Sequence, residues 1–124
     1  MVGPQDVERR EFFRLNFKTP LKFKAYSEKG SVGSSRNISQ SGILFQTEEA
    51  PKLSSLLWLN LDIRTLKICQ EIEARALVIN SGLVGKVVRV EEDPNSDNAY
   101  DVGVCFVKKD EQANREVQEL LRTL

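Results

Sequence analysis

Leu57-Trp58-Leu59-Asn60-Leu61-Asp62-Ile63 is the stretch whose reading decides the fold. Leucine or isoleucine stands at every second position, with Trp, Asn and Asp between, which is the period of a half-buried strand. Working outward, the same period recurs. Leu21 to Tyr26 alternates apolar with mostly polar residues behind Pro20, which fits the first position of a strand. Ser27 to Ser35, rich in Ser and Gly, reads as a turn running into a short strand over Arg36 to Ser39, and Gly42 to Gln46 returns as the next strand. Thr47 to Ser54 contains Pro51 and two glutamates and reads as a loop. Downstream, Glu71 to Asn80 sets Ile72, Ala74, Ala76 and Val78 on one face of a strand. Ser81-Gly82 then signals a hairpin into a strand over Leu83 to Glu91. Asp93 to Asn98 is a breaker-rich loop, and Tyr100 to Val107 is the last strand.

After Lys109 the period lengthens. Ala113, Val117, Leu120, Leu121 and Leu124 fall on one helical face, and Asp110 is placed to cap it. Six or seven short strands closed by one amphipathic helix argue for an all-β-dominated antiparallel barrel, with the helix over an opening or an edge. The expected core is Leu21, Phe23, Ile43, Leu57, Leu59, Leu61, Val102, Val104 and Phe106, with the helix packing through Val117, Leu120 and Leu121. The chain divides into a mobile basic arm (1–16), the barrel (17–108) and the helix (110–124), all in one domain of 1–124. Phe12, Phe13, Leu15 and Phe17 are interleaved with the arm's charges, so its last part is expected to pack on the body and hold Arg14 near it. The parity of Trp58 is opposite to that of Leu57 and Leu59, which fits either a surface at an interface or a partly covered core.

Composition removes several function classes. Lys plus Arg and Asp plus Glu are both 18, so there is no global field for a nucleic-acid coat or a membrane surface, and any anion site is local. There is no histidine, and the two cysteines, Cys69 and Cys105, lack C-x-x-C spacing; zinc sites and His-based catalysis are thereby set aside. Glu48-Glu49 and Glu91-Glu92-Asp93 read as solvated carboxylates, and no nucleophile stands with an adjacent base. The expectation is a binding protein and not an enzyme. The absence of an apolar leader or a bilayer-length apolar run, together with two unpaired cysteines, points to the cytoplasm.

Two clusters carry the function. Arg9, Arg10 and Arg14 stand upstream, and Asn37, Ser39 and Gly42 lie between two apolar runs. Taken singly, the first is a solvated charge cluster and the second is turn chemistry. Taken together, R-x-x-x-R (Arg10, Arg14) followed by [D/N]-x-S-x-x-G resembles the signature of PilZ domains, bacterial receptors for cyclic di-GMP, with Asn37 where the family more often has Asp. Tyr100-Asp101-Val102-Gly103-Val104-Cys105-Phe106 also resembles the family's Y-x-V-G-V-x-F strand.

The resemblance implies an antiparallel barrel and cyclic di-GMP as ligand, without another cofactor. A downstream effector protein would read occupancy, and neither DNA or RNA binding nor membrane insertion is expected. The ligand's chemistry suits the residues. Arginine meets phosphate or a guanine O6/N7 edge with a planar fork and also stacks on purine faces, roles for Arg9, Arg10 and Arg14. Asn37 and Ser39 offer short, strand-held groups to a guanine edge. Asn instead of Asp removes a negative charge beside an anionic ligand and gives up the stronger acceptor. Gly42, without a Cβ, is expected to let backbone approach a base or sugar and to allow positive φ. Arg89 is a further candidate for a guanine contact. A basic residue at Arg9 implies, through the resemblance, a stacked pair of ligands. Two other readings remain at this stage: a PilZ-like interaction module that binds no nucleotide, and a small barrel that binds single-stranded nucleic acid. The last wants an aromatic sheet face and a basic groove, whereas only the arm is clustered basic.

Overall fold

A computed structural model describes residues 14–26, 29–96 and 98–124; Arg9, Arg10, Phe12 and Phe13 lie outside the described residues. The strands are β1 (Leu15–Asn16), β2 (Pro20–Ala25), β3 (Ser31–Ile38), β4 (Gly42–Thr47), β5 (Leu56–Asn60), β6 (Val78–Ile79), β7 (Gly82–Glu92) and β8 (Tyr100–Phe106). Helix α1 (Cys69–Arg75) lies between β5 and β6, and a 3-10 turn (Lys109–Glu111) precedes helix α2 (Arg115–Leu121). Six strands pair antiparallel in the order β3-β2-β5-β7-β8-β4, and β4 returns to β3, so the sheet closes into a barrel without open edges. β1 continues along the β2 side of β3, and β6 pairs with β7.

The barrel is filled from alternate positions of its strands. Leu21, Phe23, Ile43, Phe45, Leu57, Leu59, Val102, Val104 and Phe106 are all buried, and Phe23 and Phe45 meet with ring centroids 5.1 Å apart. Every expected core residue is there, with Leu61 and Leu121 only partly covered. A second cluster, Leu77, Val84, Val107, Val117 and Leu120, forms where α2 covers the outside of the barrel. This explains the apolar Leu83-Val84. One side chain points into the barrel and the other lies under the helix, so the start of β7 is buried on both faces.

Several expectations are corrected. The strand expected over Glu71 to Asn80 is helix α1 followed by the two-residue β6. Ile68, Ile72 and Ala76 recur at four-residue spacing and pack on the core, whereas Ala74, on the expected strand face, is exposed. Glu71 in the first turn and Arg75 in the last suit the helix dipole. The strand through Leu57 stops at Asn60, and Leu61 and Ile63 pack at the barrel end without ladder pairing. β3 begins at Ser31, not Arg36, since Ser31 to Ser35 pair with β2 or β4; Gly33 there answers crowding and not a turn, as a Cβ on it would lie 2.6 Å from the carbonyl oxygen of Gln46. Asp110 sits in the 3-10 turn, while α2 is capped by Asn114, whose Oδ1 accepts from the Glu116 amide at 2.8 Å; Ala113 is exposed ahead of the helix.

The hairpin between β6 and β7 turns through Asn80 and Ser81, with φ of 50° and 64°, one residue earlier than expected. Trp58 is half-buried over this turn. Its Nε1 donates to the Ile79 carbonyl at 2.7 Å, and its ring occupies the space a Cβ on Gly82 would need.

Candidate functional site

The Asn37 motif lies at the end of β3 and in the turn to β4. Register shows which way its residues face. Ser34 pairs with Gln46 and Ser35 with Phe45, but Asn37 pairs with Leu44, so Arg36 is an extra residue that bulges from β3. The bulge keeps both Ser34 and Asn37 on the outer face, with Ser35 and Ile38 buried inside. Through β4, β8 and β7 the outer row at Asn37 continues as Leu44, Gly103 and Arg89. A parallel row runs Ser34, Gln46, Asp101 and Glu91.

The structure brings Arg14 to the motif. It precedes β1, whose Asn16 pairs with Asn37, and its Nη1 donates to Asn37 Oδ1 at 3.0 Å. This is a diagonal contact between neighbouring strands on one face. Arg9 and Arg10 fall outside the described residues, so their relation to Arg14 rests on sequence.

Ser39 and Gly42 are placed differently from Asn37. Ser39 is fully buried; its amide donates to the Gly42 carbonyl at 2.8 Å, and its Oγ accepts from the Ser41 amide at 3.3 Å. The hydroxyl thus shapes the turn from within. Gly42 is buried too, and its φ is not positive. A Cβ there would stand 2.3 Å from the Val104 carbonyl oxygen, so the close approach that glycine permits is that of β8. The expectation of positive φ is corrected, and the space beside Gly42 is filled by the barrel itself.

Beside Asn37 lies a polar cleft of about 490 Å3, lined by Asn16, Lys18, Ser34, Ser35, Arg36, Asn37, Gln46, Asp93 and Asn95. Arg36 crosses β4 to meet Asp101 at 3.5 Å, and Gln46 Nε2 donates to Asp93 Oδ2 at 2.7 Å. Lys18 and Arg36 were not singled out from the sequence. Arg36 was legible only through the bulge that turns it outward, and Lys18 only through the pairing of the 15–20 segment with β3. Arg89 lies on the outer face and is ion-paired to Glu91. The register slips between Val87 and Arg89, so Val88 bulges outward and is half-exposed, and Val88 and Arg89 both face outward although they are neighbours in sequence. Gly103, opposite Arg89, leaves the floor of the row open: a Cβ there would meet Arg89 Cβ at 3.3 Å.

The arrangement can hold an anionic, partly planar ligand. Lys18 and Arg36 in the cleft, with Arg14 bonded to Asn37 beside it, supply positive charge and donors against the single lining carboxylate of Asp93; Asn37 offers a donor and acceptor, and the half-buried Leu44 and Gly103 continue the outer row next to the cleft. Among the described residues no group of His, Cys, Asp and Glu is arranged to hold a metal ion, and no helix is long and apolar enough to cross a membrane. Both cysteines are free thiols.

A family model of the PilZ domain matches residues 8–123 of the chain. Among solved structures, the chain is similar to the crystal structure of the PilZ domain of CeSA from a cellulose-synthesizing bacterium, at 11% identity and a TM-score of 0.46, over 90% of this chain and 93% of that one. No curated protein matches.

Proposed function

The chain belongs to the PilZ domain family, and from that premise we propose that it binds cyclic di-GMP on the outer barrel face around Asn37 and passes occupancy to a partner protein. One observation carries the reading: Arg14 and Asn37, from the two separated halves of the signature, are joined by a hydrogen bond at the rim of a polar cleft. Arg9, Arg10 and Arg14 take the phosphates and guanine edges or faces, and Asn37 meets a guanine edge. Ser39 and Gly42 serve the same site from beneath, by shaping the turn and seating β4 on β8. Arg89 is three interstrand spacings from Asn37, about 14 Å, so a ligand reaching both lies across Leu44 and Gly103. In this reading the domain is a receptor and not a catalyst.

Signalling needs a difference between two states. Cyclic di-GMP must bind the state with the arm ordered against the barrel better than the open one, and the partner reads the surface so formed. Calorimetric titration with cyclic di-GMP, GTP and cyclic AMP in parallel tests the reading. Saturable binding of cyclic di-GMP alone is expected. Binding of none of the three would reject it in favour of an interaction module that works without nucleotide.

A further inference from the structure

The backbone that brings Arg14 to Asn37 is fastened to the barrel at one buried hydroxyl. Where β1 gives way to β2, the register against β3 changes: Asn16 stands opposite Asn37, but Pro20 stands opposite Ser34. Three residues, Phe17, Lys18 and Thr19, therefore face two, Ser35 and Arg36, so the β1–β2 side carries one residue in excess. Such a bulge interrupts the ladder and leaves backbone groups in need of other partners.

Ser35 provides them. Its side chain is 1% exposed, and its Oγ donates to the Phe17 carbonyl while accepting from the Thr19 amide at 2.9 Å. Backbone bonds bracket the same bulge, from the Ser35 amide to the Thr19 carbonyl at 2.9 Å and from the Phe17 amide to the Arg36 carbonyl at 3.0 Å. One hydroxyl thus makes two of these four bonds. An alanine here would leave a carbonyl and an amide without partners, and absorbing the excess residue by a one-residue slip of β1 is the nearest way to re-pair them.

A slip of that kind reverses faces. In the observed register Arg14 and Asn16 are exposed and Leu15 is half-buried; shifting β1 by one residue turns Leu15 outward and carries Arg14 away from Asn37. We infer that Ser35 is a positioning residue for the ligand site: its hydroxyl holds the bulge that sets the register of β1 and so aims Arg14 at Asn37 and the adjoining cleft. The ligand half of this inference rests on the function proposed above, and the register half does not.

The test has two arms on the full chain, using Ser35→Ala, which changes little volume, and Ser35→Thr, which keeps the hydroxyl. In the first arm, nuclear Overhauser contacts across Asn16–Asn37 and Leu15–Ile38 are compared with those across Phe23–Leu59 as a control for folding. The two arm contacts should weaken or vanish in Ser35→Ala and return in Ser35→Thr, with the control pair unchanged throughout. In the second arm, cyclic di-GMP affinity is measured with and without Arg14→Ala. Ser35→Ala should lose on the order of tenfold, and adding Arg14→Ala should then cost little more, because the two changes remove one interaction. A serine that merely supports stability would leave the Arg14→Ala effect at full size. Intact arm contacts in Ser35→Ala, or fully additive losses, would overturn the inference. If the wild-type chain binds no cyclic di-GMP, the proposed function falls, and the first arm decides on Ser35 by itself.

Discussion

Replacing Gly42 by alanine should damage the barrel before it damages the site, and replacing Gly103 should do the reverse. The new Cβ at position 42 would lie 2.3 Å from the Val104 carbonyl oxygen, about 1 Å inside the usual carbon–oxygen contact. Backbone cannot swing aside, so β4 and β8 must separate locally. The Phe106 amide donates to the Ser41 carbonyl at 2.9 Å beside this point; a shift of about 1 Å carries such a bond beyond useful length. Strain of roughly 1 to 3 kcal/mol and one or two weakened bonds of about 1 kcal/mol each give a loss of about 2 to 5 kcal/mol. For a chain of this size that lowers the thermal midpoint by roughly 10 °C. At Gly103 the nearest atom to an added Cβ is Arg89 Cβ at 3.3 Å; that carbon moves only with its backbone, but a shift of a few tenths of an ångström between β7 and β8 relieves the contact, against about 1 Å at position 42. Gly103→Ala should therefore melt within a few degrees of wild type, while its methyl, standing on the floor between Leu44 and Arg89, weakens cyclic di-GMP binding. Differential scanning calorimetry and ligand titration on both variants decide the matter. A Gly42→Ala chain with an unchanged midpoint and lost affinity would show that Gly42 faces the ligand and that the reasoning from β8 is wrong.

Arg10→Ala and Arg14→Ala should each weaken cyclic di-GMP binding on the order of ten- to a hundredfold and flatten its salt dependence, with the unliganded midpoint nearly unchanged; equal affinity in both would defeat the assignment. Two ligands per chain are expected, with Arg9→Leu shifting the count toward one, since a third guanidinium offsets four phosphate charges and can cap a purine stack; a wild-type equivalence point of one removes this reading of Arg9. Leu59, wholly buried, should cost about 2 to 5 kcal/mol when cut to alanine, measured by urea denaturation. Exposed Cys105 should react with a thiol reagent at pH 8 well before Cys69, whose thiol is pushed up by burial and then by the Glu73 carboxylate; mass spectrometry of the labelled peptides gives the order.

How much of the fold could be read from the sequence depended on whether a segment obeyed one period. Leu57 to Asn60 did, and so did Tyr100 to Phe106, because each puts one face in the barrel and one outside. Glu71 to Asn80 satisfied two periods at once: Ile72, Ala74, Ala76 and Val78 suit a strand, while Ile68, Ile72 and Ala76 suit a helix. Burial chose the second, since only Ile72 and Ala76 of the first set are inside. β3 failed in the opposite way. Its Ser and Gly residues look like a turn, yet Gly33 is small because Gln46 and Phe45 press against it, and the Ser35 hydroxyl bonds the neighbouring backbone. Composition records crowding and turning with the same letters, and only the partner strand separates them.

The sequence offered candidate residues for the site but not their geometry, for a related reason. Asn37, Ser39 and Gly42 sit within one short spacing, and spacing alone would give all three the same kind of task. A bulge at Arg36 turns Asn37 outward to Arg14, while the reversal into β4 takes Ser39 and Gly42 inside. Two of the three motif residues therefore act on backbone: the Ser39 hydroxyl on the Ser41 amide, and the bare Gly42 carbon by admitting the Val104 carbonyl. The turn they make ends the strand that carries Asn37, and Asn37 is what Arg14 grips. If cyclic di-GMP binds at Asn37 as proposed, a motif of this form ties ligand chemistry to strand register, and a change at its buried positions would reach the ligand through the backbone, as the inference for Ser35 has it from the opposite edge of β3.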